Sequence, residues 1–269
     1  MGNRCPRIGV ALGGGGARGL AHIGVLRRLT ESGMPIHCIS GTSIGAIVGG
    51  IFASGNLERV IEWCCEPDWK KLPRLFFEPH FTGKALIRGE RIEHLLSELI
   101  PAKDFESLSI PYAAIATDLF TGEKVTMRSG NLHSAIRASM SIPGVFRPVE
   151  RDGKILVDGG LSDPLPTAAC RQMGAELIVS VDINPPGVAE ESGAFSRMNL
   201  LDVLTCTFRV FNCEMTRRVL GEVAPDVLVR PEVGGVSLLD FRNASRMVDA
   251  GEAAMRLAEK ELERLLSAR

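Results

Sequence analysis

The sequence PIHCISGTSIGAIVGG, residues 35–50, is typical of a buried strand, a sharp turn and a helix in succession. Its apolar first part ends in Gly41-Thr-Ser-Ile-Gly45, and the small and aliphatic residues that follow allow a helix to lie close to a sheet. Glycines two residues on either side of a serine let the chain turn from strand to helix without collision, and they leave the serine at the amino end of the helix. The pattern predicts either a nucleophile, Ser43, or a glycine-rich packing turn.

The rest of the chain alternates short apolar runs with longer amphipathic ones, which is typical of a mostly parallel sheet covered by helices. Strands are predicted at residues 7–12, 35–40, 110–127 (a strand, a turn and a returning strand), 154–160, 176–183 and 226–231. Helices are predicted at residues 17–32, 44–55, 56–66, 89–100, 131–143 and 197–220, and residues 241–268 are predicted to form one helix or a pair. The sequence has no repeat and no interdomain linker, so residues 1–269 are predicted to form a single α/β domain.

The charge balance and the cysteines narrow the class of protein. The 31 basic and 32 acidic residues of the chain do not provide the cationic excess that a nucleic-acid surface needs, so we expect no nucleic-acid partner. The seven cysteines are odd in number and include no CxxC pair, which favours reduced thiols over disulfides or a zinc site. No HExxH motif is present either, and we expect no metal.

Residues 32–57 contain no Asp, Glu, Lys or Arg and are long enough to span a bilayer. Pro35 and the turn around Ser43 interrupt this stretch, so a buried strand, turn and helix explain it better. The amino terminus lacks the architecture of a cleaved signal peptide. We therefore expect a cytoplasmic protein that is peripheral at the membrane and contacts its surface transiently.

A nucleophilic serine needs a base, and the familiar triads fix the chain order of their members. The order with histidine last is disfavoured because the last histidine, His133, precedes Asp158. The orders that end in serine need an aspartate before Ser43, and the sequence has none there. His80, His94 and His133 remain open as bases, although His94 lies in a periodic helical segment. A conventional triad is therefore disfavoured.

Asp158 is a second candidate base, in the sequence ILVDGGLSDPLP of residues 155–166. An acidic residue that ends a buried strand lies at the edge of an α/β sheet where active sites form. Gly159 and Gly160 would let the backbone pass close to a neighbour. The aspartate acts as a base only where it reaches the serine and its environment tunes its pKa. Taken alone, Asp-Gly-Gly is more often a turn.

The glycine-rich sequence GGGGARG, residues 13–19, presents backbone N–H groups at a helix amino terminus, which suits a phosphate or an oxyanion. Gly14, Gly16 and Gly19 match the GxGxxG dinucleotide fingerprint. The second strand, however, ends without the acidic residue that would hold a ribose. No Gly-Lys-Ser/Thr follows, which excludes a Walker A loop, and an oxyanion hole for acyl transfer remains.

The glycine-rich turn, the Gly-x-Ser-x-Gly turn and the Asp-Gly-Gly strand end, in this order, resemble the patatin-like phospholipase family in its bacterial, single-domain type. The resemblance extends to ASMSIPGVFRPV (residues 138–149) and VDGGLSDPLP (residues 157–166). SVDIN (residues 180–184) and DVLVRPEV (residues 226–233) are looser likenesses. The resemblance implies a three-layer α/β/α sandwich with a mostly parallel central sheet.

The resemblance also implies a Ser–Asp dyad, in which Ser43 attacks the carbonyl carbon of an ester and Asp158 takes its proton. The N–H groups of Gly14, Gly15 and Gly16 then hold the oxyanion, and water hydrolyses the acyl-enzyme. No metal or other cofactor takes part. The further motif glycines are Gly19, Gly41, Gly45, Gly159 and Gly160.

The substrate implied is a phospholipid, a lysophospholipid or a simpler ester. Arg18, beside the oxyanion hole, either positions a phosphate-bearing substrate or braces the loop. The aromatic segment at residues 67–89 is expected to form a lid or cap, with a loop packed on the core as the alternative. The apolar period of residues 200–215 favours core packing over an interfacial helix. A non-catalytic, partner-binding protein on the same fold remains the second functional hypothesis.

Overall fold

A mixed β-sheet lies at the centre of the molecule in the computed structural model, which describes residues 6–58, 89–184, 199–236 and 240–268. Within these residues the sheet has eight strands: β1 (Ile8–Leu12), β2 (Ile36–Thr42), β3 (Tyr112–Asp118), β4 (Lys124–Met127), β5 (Val149–Arg151), β6 (Lys154–Asp158), β7 (Leu177–Val181) and β8 (Val227–Val229). Their order is β5-β6-β3-β2-β1-β7-β8, with β4 paired to β3. The neighbouring strands β3, β2, β1, β7 and β8 pair in parallel. Strands β4 and β6 run antiparallel to β3, and β5 runs antiparallel to β6.

Helices lie on both faces of this sheet. Those of the described residues are α1 (Ala21–Glu31), α2 (Ile44–Ala53), α3 (Glu90–Leu99), α4 (Leu132–Ser139), α5 (Thr167–Gln172), α6 (Leu200–Glu222) and α7 (Ala244–Ser267). Short 3₁₀ segments precede α1 at Gly16–Leu20, follow β6 at Gly159–Leu161 and precede α7 at Phe241–Asn243. The sheet thus forms the middle layer of three.

Alternate side chains of β1 explain why both faces are covered. Val10 and Leu12 are fully buried in the main core, which also contains residues of α1, α2, α4 and α7. Ala11, on the opposite face, packs with Cys170 of α5 and Ile178 of β7. A strand buried on both faces is typical of a parallel sheet between two helical layers. The predicted three-layer α/β/α sandwich is confirmed.

Most predicted elements are present within the described residues, and the elements that the sequence did not predict are short. Residues 59–66 of the helix predicted at residues 56–66 lie outside the described residues. Residues 110–127 form the predicted strand, turn and returning strand as β3 and β4. Residues 241–268 form a 3₁₀ turn and one helix, α7. The sequence did not predict β5 or α5, because three and six residues are too few for a hydrophobic period to be visible.

Some sequence-based expectations fall on residues that the structure does not describe. Residues 67–88 of the expected lid or cap lie outside the described residues, and so does His80. The lid, a histidine base at His80 and the single domain over residues 1–269 stay predictions.

Helix α6 has an unusual distribution of polar and apolar side chains. Its buried face carries Thr205, Asn212 and Thr216. Large apolar side chains lie on its exposed surface: Leu200, Val203, Leu204, Val210 and Phe211. The expectation that residues 200–215 pack their apolar face into the core is wrong for these side chains, because a hydrophobic period shows which residues share a face and not what covers that face.

Candidate active site

Ser43 lies in the turn between β2 and α2 with φ +56° and ψ −121°. A positive φ is unfavourable for a residue with a side chain, and such backbone strain is concentrated at functional sites. The flanking glycines make the turn feasible. A Cβ on Gly41 would collide with the backbone of Gly45, and a Cβ on Gly45 would collide with the carbonyl of Leu12. The strand, strained serine and helix have the geometry of a nucleophile elbow.

The Ser43 hydroxyl donates a hydrogen bond to Asp158 Oδ2 at 2.7 Å. Asp158 is the last residue of β6, and both side chains are buried, with Ser43 5% and Asp158 0% exposed. The second carboxylate oxygen, Oδ1, accepts from the N–H of Gly160 at 2.8 Å. The structure therefore brings together the two residues that the sequence singled out as nucleophile and base.

Burial raises the pKa of Asp158 to about 7, although hydrogen bonds from the Ser43 hydroxyl and the Gly160 N–H oppose this shift. Low dielectric surroundings disfavour the charged carboxylate, while donated hydrogen bonds favour it. The resulting pKa is near neutrality, where a general base combines adequate basicity with a substantial ionised fraction.

The last residue of α4 and the segment after it hold both members of the pair by their backbones. Ser139 Oγ accepts from the Ser43 N–H at 3.0 Å. The carbonyl of Ser141 accepts from the Asp158 N–H at 2.9 Å. From the other side, Thr117 Oγ1 donates to the Asp158 carbonyl at 3.0 Å. The sequence ASMSIPGVFRPV carried part of the resemblance, but the supporting role of its two serines was not predicted.

The glycine turn after β1 lies beside the serine. A Cβ built on Gly14 would be 3.3 Å from Ser43 Cβ. Gly13 N donates to Val181 O at 3.1 Å and Gly14 N donates to Pro164 O at 2.9 Å. The N–H of Gly14 is thus already engaged, which corrects the expectation that it holds an oxyanion. Within the described residues, the N–H groups of Gly15 and Gly16 have no acceptor.

Two buried side chains that the sequence did not single out bind carbonyls of the same turn. His22 Nε2 donates to Gly13 O at 2.7 Å, since a carbonyl only accepts. Asn184 Nδ2 donates to Gly14 O at 2.5 Å. Burial lowers the pKa of His22 to about 4, so the imidazole stays neutral near pH 7.

Arg18 is 3% exposed and lies in the 3₁₀ turn that follows the glycines. Its pKa falls to about 10, chiefly through burial and then through the nearby charge of Arg209, against the opposing effect of Asp182. Its Nε has no hydrogen-bond partner in the part of the chain that the structure describes. Arg18 keeps its charge at neutral pH, and its predicted role in positioning substrate stays a prediction.

The two remaining candidate bases among the described histidines have other partners. His94 is exposed on α3 and lies 3.4 Å from Glu98. His133 Nε2 contacts Ile100 O at 2.8 Å. The acceptor of the Ser43 hydroxyl is the Asp158 carboxylate instead. In the described ranges no cluster of three or more His, Cys, Asp or Glu residues has the geometry to hold a metal ion.

A family model described as patatin-like phospholipase matches residues 10–171. The chain belongs to the patatin-like phospholipase family. The matched residues of this patatin-like protein run from β1 into α5, and they include Ser43 and Asp158.

Similar proteins support this membership. An uncharacterized NTE family protein of Mycobacterium tuberculosis is 43% identical over 183 residues, which are 68% of this chain and 51% of that protein. Patatin-like phospholipase domain-containing protein 7 of Rattus norvegicus is 34% identical over 183 residues, which are 65% of this chain and 13% of that protein. The chain thus spans about half the length of its mycobacterial relative.

A solved structure agrees at the level of the fold. VipD from Legionella pneumophila matches with a TM-score of 0.53 at 15% identity, over 98% of this chain and 67% of that chain. None of the helices in the described ranges combines the length and apolar character that crossing a bilayer requires.

Proposed function

We propose that this patatin-like protein is a serine acyl hydrolase of lipid esters, with phospholipase A, lysophospholipase or carboxylesterase activity. The observation that carries the proposal is the 2.7 Å hydrogen bond from the strained, buried Ser43 to Asp158. Membership of the patatin-like phospholipase family supports a lipid as the substrate.

The dyad would work in two half-reactions. Asp158 takes the proton as Ser43 Oγ attacks the ester carbonyl carbon, and a tetrahedral oxyanion forms. Its collapse releases the alcohol, which takes the proton back from Asp158, and leaves an acyl-serine ester. In the second half, Asp158 deprotonates a water that attacks this ester. Collapse of the second oxyanion releases the carboxylic acid, and the departing Ser43 oxygen takes the proton back from Asp158, which restores the serine hydroxyl and the carboxylate.

The oxyanion would be bound by backbone N–H groups of the glycine turn. Gly15 and Gly16 are the proposed donors, because the Gly14 N–H already donates to Pro164 O. The amino end of α2, directly after Ser43, adds a favourable dipole. Preorganised donors of this kind typically account for about 10²–10³-fold in kcat each.

The surface beside the dyad suits transient contact with a lipid surface. A Cβ on Gly160, in the turn after Asp158, would collide with the side chain of Asn212 on α6, so the helix lies against this turn. The exposed surface of α6 carries apolar side chains such as Val210 and Phe211, 60% and 43% exposed. Arg18 is proposed to attract a phosphate-bearing substrate.

Labelling with a fluorophosphonate and hydrolysis of p-nitrophenyl esters of rising chain length test the proposal. The wild type and Ser97→Ala, which alters an exposed serine on α3, should be labelled and active. Ser43→Ala should lose both properties, and Asp158→Asn should lose turnover by about 10²–10⁴-fold. Full turnover in Asp158→Asn would overturn the dyad. A wild type that is neither labelled nor active on any ester would favour the non-catalytic, partner-binding alternative.

A further inference from the structure

Successive carbonyls of the glycine turn are held by two buried side chains from different elements. Gly13 O accepts from His22 of α1, and Gly14 O accepts from Asn184, which follows β7. Asn184 is 3% exposed. The orientation of its amide follows from chemistry, because a carbonyl oxygen at 2.5 Å requires the nitrogen and not the oxygen to face it.

The two peptide groups that contain these carbonyls differ in whether their N–H has a hydrogen-bond acceptor. A peptide unit is rigid and planar, so a hydrogen bond that fixes its C=O also fixes the direction of its N–H. The peptide held by His22 contains the Gly14 N–H, which donates to Pro164 O at 2.9 Å. The peptide held by Asn184 contains the Gly15 N–H, for which the described residues provide no acceptor.

Asn184 is itself anchored to the sheet. Its N–H donates to Asp182 Oδ1 at 3.0 Å, and Asp182 Oδ2 accepts from Arg230 Nε at 3.1 Å. Asn184 Oδ1, however, is buried and has no hydrogen-bond partner among the described residues. A buried acceptor without a hydrogen-bond partner is unfavourable, because the group has lost its hydrogen bonds to water. Of the two polar atoms of the buried amide, only the donor thus has a partner, and that partner is Gly14 O.

We propose that Asn184 is a positioning residue for acyl transfer, which aims the Gly15 N–H at the oxyanion by donating to Gly14 O. This inference rests on the proposed function. The bond from Asn184 also polarises the peptide, which strengthens its N–H as a donor. Because negative charge develops only as Ser43 attacks, the effect is felt in the transition state and not in substrate binding. Asn184 lies beyond the residues that the family model matches.

The test compares Asn184→Ala and Asn184→Leu with the wild type and a matched control. The control, Asn56→Ala, removes an amide-to-carbonyl bond of the same kind, to Leu99 O at 3.3 Å, beyond the far end of α2. Four quantities are measured at pH 8: kcat and KM for p-nitrophenyl butyrate, Ki for an alkyl trifluoromethyl ketone, and Kd for a non-hydrolysable ether analogue. The ketone forms a tetrahedral adduct with the serine and presents an oxyanion, whereas the ether does not.

The proposal predicts that kcat falls about 10–100-fold in both Asn184 variants, somewhat less than the loss of a whole oxyanion donor. The ketone should bind more weakly by the same factor, while KM and the ether Kd stay unchanged. Asn56→Ala should resemble the wild type in all four quantities. This difference between the ketone and the ether distinguishes a positioning role from a general loss of structure, which would weaken the binding of both ligands.

Three results would overturn the inference. The first is unchanged kcat and ketone affinity in folded Asn184→Ala. The second is equal weakening of the ketone and the ether. The third applies if the alanine variant does not fold: Asn184→Leu keeps the approximate volume and has no donor at any pH, so wild-type kcat in that variant contradicts the proposal. Failure of the proposed function is recognised separately, because the wild type itself would then neither turn over the ester nor bind the ketone, and both proposals would fall.

Discussion

Asp158 lies opposite Ala116 in the antiparallel register of β6 and β3, while Ile115 of β3 pairs with Thr42 of β2. The carboxylate therefore reaches Ser43 across one intervening strand. Gly159 makes this approach feasible, since a Cβ there would collide with the carbonyl of Ile115. The Ser43–Asp158 pair lies where the sheet changes from parallel to antiparallel pairing, at β3.

The activity of the dyad should follow the ionisation of Asp158, whose pKa is raised to about 7 by burial. Only the carboxylate form accepts the serine proton, so kcat/KM for a short p-nitrophenyl ester should rise about tenfold per pH unit below this pKa and level off above it. The measurement is an initial-rate profile from pH 5 to 9. A profile that is flat between pH 5 and 8 would contradict the assignment of Asp158 as base.

Ionisation of Asp158 should also affect the free energy of unfolding, which should fall as the pH rises. The pKa of Asp158 in the folded protein, about 7, is above its ordinary value of 3.8, so the folded state binds the proton more tightly than the unfolded state. Stability from this group is complete below about pH 4 and is lost as the pH rises through about 7. Urea unfolding should show a loss on the order of a few kcal/mol from this group between pH 4 and 8. Asp158→Asn should show a smaller decrease over this range.

The crossing of α1 and α7 should tolerate no added side chain. A Cβ on Gly24 of α1 would collide with the carbonyl of Val248, and a Cβ on Gly251 of α7 would collide with the carbonyl of Ala21. Gly24→Ala should therefore reduce the free energy of unfolding by about 1–3 kcal/mol, as overpacking does. Denaturant titration measures this change.

A control for this substitution lies on α6. A Cβ on Gly221 has no neighbour within 4 Å, and alanine is the better residue in a helix, so Gly221→Ala should be neutral or stabilise the protein by up to about 1 kcal/mol. A destabilisation as large as that of Gly24→Ala would show that general helix effects, not the crossing, determine the result.

The apolar surface of α6 should matter for lipid aggregates and not for dissolved esters. Replacing Val210 and Phe211 with serine should reduce hydrolysis of phospholipid in vesicles several-fold and leave the rate on p-nitrophenyl acetate unchanged, because only the vesicle offers a surface to bind. Leu257→Ser is the matched control, since Leu257 is 84% exposed on α7. Equal vesicle rates in the double variant and the wild type would refute the proposed contact.

Much of the fold could be predicted from the sequence because its strands are short, apolar and bounded by glycines. The run from Arg7 to Leu12 and the elbow around Ser43 illustrate this, and both occur where predicted. Asp158 was found because an acidic residue closes an apolar run, and the family resemblance then assigned its role. These are local signals, which a single sequence carries in full.

The support of the site could not be predicted, because it depends on contacts between distant residues. Asn184 and Gly14 are 170 positions apart, and nothing in the polar sequence after β7 specifies which carbonyl its amide meets. The engagement of the Gly14 N–H likewise depends on how Pro164 is placed by the turn after β6. The polar residues on the buried face of α6 were missed because a helical period does not identify the buried side.

The positive φ of Ser43 has a consequence for how relatives of this protein diverge. Glycine adopts that conformation without strain, so a change from serine to glycine at this position would abolish the nucleophile and relax the backbone in one step. On the proposed function, the serine is needed for hydrolysis in spite of its strained backbone. A relative with glycine at this position would therefore be expected to lack the activity and to have a less strained turn.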